Sequence, residues 1–128
     1  MPHVEVTGRI PLEAFHARFA PRTLQDGPTV LKTLASFLAH DGRSLLLECM
    51  AVEGYLRQGF FVLVSVRSGG ALVRLHPRSA VEKSEGVKRL LAWTARRLEA
   101  EAGPGAAIGT TNLADQLARP FPPEALRP

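Results

Sequence analysis

Cysteine, lysine and long apolar runs are all scarce in this chain of 128 residues. The lone Cys49 cannot form an internal disulfide, and its place inside a strand-like pattern reads as a small buried residue. No apolar run approaches the length needed for a membrane-crossing helix. The start, Met1-Pro2-His3-Val4-Glu5, lacks a charged segment followed by an apolar core. No secretory leader is therefore expected, and the expected location is cytoplasmic.

Motifs of chemistry are missing as well. There is no G-x-S-x-G elbow, no phosphate-binding glycine loop and no dinucleotide fingerprint. Glu13 and His16 make a single E-x-x-H pair, where a di-iron bundle needs two such pairs and further carboxylates. His3 with Glu5 supplies two ligands where a closed metal site needs about four. His40 is explained by a favourable place at a helix end. Gly109-Thr110-Thr111-Asn112 reads as ordinary capping. Accordingly, neither a metal nor a cofactor is expected, and the reading leans away from an enzyme.

The basic balance comes almost wholly from arginine. Of 16 basic residues only Lys32, Lys83 and Lys88 are lysines, a bias that a GC-rich coding sequence would produce. The arginines are scattered from Arg9 to Arg127 rather than clustered. Phe60 and Phe61 are adjacent in a strand pattern, so they point to opposite faces and build no stacking platform. A nucleic-acid or ribosome-associated role is thus the alternative reading only.

What is present suggests a single α+β domain over residues 1–128 with a proline-rich irregular tail from about 120. His3 to Ile10 reads as a first, edge strand. Leu12, Phe15 and Phe19 have the spacing of a short amphipathic helix that ends before Pro21. Residues 22–27 read as a connector. In 28–40, Val30, Leu31, Leu34, Phe37 and Leu38 form an apolar stripe, which predicts a helix closed by Asp41-Gly42. Ser79-Ala80-Val81-Glu82 has the form of a capping box and predicts a long helix over 79–102. Ala106 to Gly109 suits a short last strand, with a short helix reaching Arg119.

The central element is a meander of three strands over 44–76. If Gly69-Gly70 form a two-residue turn, Val64 faces Leu75, and Ser65 faces Arg74. A four-residue loop over 55–58 then pairs Glu48 with Ser65, whereas a five-residue loop would bury the Glu48 carboxylate. One face collects Leu47, Cys49, Ala51, Phe60, Val62, Val64, Val66, Val73 and Leu75. The other is mixed, with Leu46, Glu48, Met50, Val52, Phe61, Leu63, Ser65, Arg67, Leu72, Arg74 and His76.

This register places Glu48, Ser65 and Arg74 in one row, flanked by Arg67 and His76. Those five residues are the candidate binding site, either an anion pocket or a polar ladder. The expected fold is an antiparallel sheet of three to five strands with helices 28–40 and 79–102 on its apolar face. The expected function is a non-enzymatic interaction module, homodimeric through the mixed face or an edge strand, because so apolar a second face asks for cover.

Overall fold

The computed structural model describes residues 1–127. Seven strands form one antiparallel sheet, curled into a half-barrel around a long helix. In chain order the elements are β1 (His3–Thr7), α1 (Leu12–Arg18), β2 (Arg22–Asp26), β3 (Thr29–Leu38), β4 (Ser44–Glu53), β5 (Leu56–Arg67) and β6 (Gly70–Leu75). Then follow α2 (Glu85–Ala102), β7 (Ala107–Thr111), α3 (Ala114–Ala118) and a 3₁₀ turn at Pro123–Leu126. The strand order is β2-β3-β4-β5-β6-β1-β7. This corrects the expectation of three to five strands.

The largest correction is residues 28–40, which form strand β3 rather than a helix. Its apolar residues satisfy both periods, so spacing alone does not decide between them. Two other features do. Thr29, Val30 and Thr33 are β-branched and favour a pleated surface. Gly27, with φ +61°, and Pro28 form a two-residue turn, so residues 22–26 become a paired strand instead of a connector. The pairing turns Leu24, Leu31 and Thr33 inward.

β1 is not an edge, since it pairs with β6 on one side and β7 on the other. The close packing there is demanding: a Cβ at Gly70 would lie 2.3 Å from the Val6 carbonyl oxygen. The long helix begins at Glu85, not at 79. Its cap is Ser84, whose hydroxyl accepts from Val87 N at 3.3 Å. Residues 77–84 run beside β5 instead: Ser79 Oγ accepts from Phe61 N, and the Gln58 side chain bonds both the N–H and the carbonyl of Glu82.

The core lies between the sheet and α2. All the predicted inward residues of the meander are buried except Val66, which packs partly buried against them. Eleven of the eighteen α2 residues are buried, so the helix is covered on more than the sheet side. The remaining cover comes from α1, α3 and the tail, where Phe121 and Ala125 are buried. Trp93 Nε1 donates to Ala125 O at 2.9 Å. Arg89 completes the strap: it bonds Asp26 of β2 and the carbonyls of Gln116, Arg119 and Pro120, with Phe121 stacked 3.6 Å from its guanidinium carbon.

Candidate binding surface

The first hairpin of the meander is tighter than the sequence suggests, and the second turns one residue earlier. β4 and β5 join through Gly54-Tyr55, so Glu48 faces Phe61 rather than Ser65. Gly54 has φ +62°, as the first position of such a turn requires. β5 and β6 join through Ser68-Gly69, so Val64 faces Val73, and Ser65 faces Leu72. Both registers moved by an even number of residues. Each side chain therefore keeps its expected face while the rows change.

The five candidate residues share the open face but stand in different rows. Glu48 lies beside Phe61, and His76 lies on Phe61's other side, where its N–H donates to the Phe61 carbonyl. Arg74 sits between Leu63 and His3, and Ser65 between Ser44 and Leu72. Arg67 is at the far end, opposite Gly70. The predicted Glu48, Ser65, Arg74 row is not formed. Arg74 Nε is buried without a hydrogen-bond partner among the described residues, which costs about 1–3 kcal/mol for such a donor.

Other features are absorbed by the fold. His16 Nδ1 lies 2.8 Å from Ser36 Oγ. No group of three or more His, Cys, Asp or Glu residues suited to a metal occurs among the described residues. Burial pushes the Cys49 thiol well above its ordinary range, with nearby Arg97 opposing the shift, so it is an inert core thiol. Asn112 and Thr111 hold the chain start, bonding His3 N, His3 O and Met1 O. Arg97 is 5% exposed and lies over the rings of Phe15, Phe19 and Trp93, with Thr33 Oγ1 at 3.5 Å. Its loss of hydration, and then the Arg22 charge, lower its pKa to about 10.

No protein-family model, no curated protein and no solved structure matches this chain. No helix among the described residues is long and apolar enough to cross a membrane.

Two parts of the open face stand out physically. The first is β3 beyond its bulge at Thr33 to Ala35. β2 pairs only with Thr29–Thr33, so Ala35–Leu38 have no strand on their outer side. Leu34 and Phe37 there are 36% and 52% exposed. The second is a depression of about 450 Å³ lined by Leu46, Gly59, Phe61, His76, Arg78 and Ser79, among others. Sequence reasoning missed both, because 28–40 and 79–84 were assigned to helices. The glycine inside the apolar run 56–67 was the one available signal for the depression.

Proposed function

We propose that the protein is a non-enzymatic interaction module that self-associates through the outer edge of β3. The observation behind this reading is the segment Ala35–Leu38, which has no strand on its outer side and carries the half-exposed Phe37, with α1 touching it through His16 and Ser36. In this ladder Ala39 N donates to Ser44 O, so the alternation of an antiparallel pair turns the Ser36 and Leu38 backbone groups outward. No backbone partner for those outward groups occurs among the described residues. Soluble proteins blunt such edges with lysine, proline or a covering element. Leu34-Ala35-Ser36-Phe37-Leu38 contains none of those side chains.

A second copy is the natural occupant because one strand edge pairs with itself antiparallel about a two-fold axis, giving an isologous contact. Such pairing would extend the sheet sideways and leave its open face free. Five of the thirteen arginines are already buried or ion-paired: Arg18, Arg89, Arg96, Arg97 and Arg119. That leaves less basic surface for nucleic acid than the net charge suggests, and it favours the protein-interaction reading.

Sedimentation equilibrium tests the proposal. The parent chain is expected to dimerise at micromolar concentration, and Phe37→Lys, at an already exposed position, to shift it to monomer without loss of folding. A parent that stays monomeric up to hundreds of micromolar would overturn it.

A further inference from the structure

β5 carries a mid-strand glycine with open space where a side chain would stand. Gly59 sits mid-strand in an unbroken ladder, opposite Met50, with no bulge and no positive φ. A Cβ built on it would meet only the Cys49 carbonyl oxygen, at 3.9 Å, which is ordinary contact. Glycine inside a strand weakens it and marks a bulge, a bend or a place where something approaches the backbone closely, and no bulge occurs here. The missing side chain opens the sheet's outer layer between Leu46, Phe61 and the 76–80 segment, and the depression of about 450 Å³ lies there. That volume is within the range of small-molecule sites.

The rim of this depression carries hydrogen-bond donors. His76 Nδ1 accepts from Arg78 N at 3.2 Å, which places the ring hydrogen of the neutral imidazole on Nε2. Ser79 Oγ accepts from Phe61 N, leaving its own hydrogen to donate elsewhere. The exposed Arg78 guanidinium makes no hydrogen bond or ion pair among the described residues. No carboxylate lines the depression. On the open face Glu48 stands across Phe61 from His76. An apolar floor with donors on one side and no acceptor charge suits an amphipathic anion.

We infer that the Gly59 depression binds a small apolar organic acid. Its hydrocarbon body lies over Gly59 against Leu46 and Phe61, and its carboxylate or sulfonate meets Arg78, Ser79 Oγ and His76 Nε2. The inference is independent of self-association at β3, because edge pairing leaves this face open.

A matched pair of fluorescent probes tests it: the anion anilinonaphthalene sulfonate and its uncharged counterpart N-phenylnaphthylamine, each titrated into the full chain. The sulfonate is expected to bind one site per chain and more tightly than the neutral probe. Gly59→Leu, which fills the depression from a position with room for a side chain, should weaken the sulfonate at least tenfold. Arg78→Gln, in an exposed segment where folding is not at issue, should remove most of the preference for the anion and leave neutral-probe binding unchanged. Phe37→Lys should change neither titration. Equal binding of the two probes, or an anion preference untouched by Arg78→Gln, would overturn the assignment. So would sulfonate binding undiminished in a folded Gly59→Leu chain.

Discussion

The carboxylate of Glu53, at the end of β4, closes the N-terminus of α2: its Oε1 accepts from the Gly86 amide at 2.8 Å. Its other oxygen accepts from the Ser84 hydroxyl, which in turn accepts from Val87 N. Two otherwise unpaired helix donors are thereby satisfied, and a negative charge sits at the positive end of the helix dipole. Glycine at 86 is a steric requirement of this contact, since a Cβ there would lie 2.6 Å from Glu53 Cδ.

This relationship predicts a sign reversal. Gly86→Ala alone should destabilise by up to about 1 kcal/mol, because the Glu53 carboxylate must leave its contact and that loss outweighs alanine's better helix propensity. Glu53→Ala alone should cost about 1–2 kcal/mol, the usual worth of an N-cap. With Glu53 already replaced, Gly86→Ala should become stabilising by about 1 kcal/mol, its intrinsic helix advantage. Urea denaturation of the four chains measures this coupling, and additive single effects would refute it.

The two buried arginines of α2 should respond in opposite ways. Arg89 is matched by Asp26 and three carbonyls, so Arg89→Met removes the donor from three carbonyls and leaves Asp26 only its longer contact with Arg119, and should cost about 3–5 kcal/mol. Arg97 has aromatic faces but no ion-pair partner among the described residues. Arg97→Met should therefore be neutral or stabilising in thermal unfolding. A large loss would mean that the ring contacts outweigh the cost of burying the charge.

Cys49 makes stability fall at alkaline pH. Its thiol stays protonated in the folded chain, whereas the unfolded chain ionises near its ordinary 9.0. Above that pH the unfolded state binds fewer protons, so unfolding becomes easier as pH rises. Arg97 contributes with the opposite sign: its folded value of about 10 lies below its ordinary 12.5, so its term raises stability only between those two. Cys49→Ala should flatten the decline between pH 9 and 10, as denaturant midpoints would reveal. In the parent, labelling by an aromatic disulfide reagent should proceed only as fast as the chain unfolds.

The observed β5–β6 turn distinguishes two neighbouring glycines. Gly69 has φ +83° with open space around it, so Gly69→Ala should cost about 1–2 kcal/mol from the left-handed backbone. Gly70 is a strand residue pressed against β1, where a Cβ would overlap the Val6 carbonyl. Gly70→Ala should cost more than Gly69→Ala and should loosen β1, visible as faster hydrogen exchange at Val4 and Val6. Equal costs would instead favour the turn centred on Gly69-Gly70.

The division of the meander into a core face and an open face was legible in the chain, because alternation has a period of two and a buried Glu48 carboxylate is so costly. Helix α1 and the last strand were legible for similar local reasons. β3 was not. Its apolar residues fit a helical stripe and a half-buried strand equally well, and only pairing with β2 and β4 selects the strand. The start of α2 was hidden because its cap depends on Glu53, a residue remote in sequence. The rows of the open face depended on where and how tightly the chain turns, and a shift of two or four residues leaves every side chain on its own face while changing its neighbours. Local pattern thus determined which way each meander side chain points. Tertiary pairing alone decided that His76 and Glu48 flank Phe61, that the end of β3 has no strand on its outer side, and that the gap left by Gly59 opens beside Arg78.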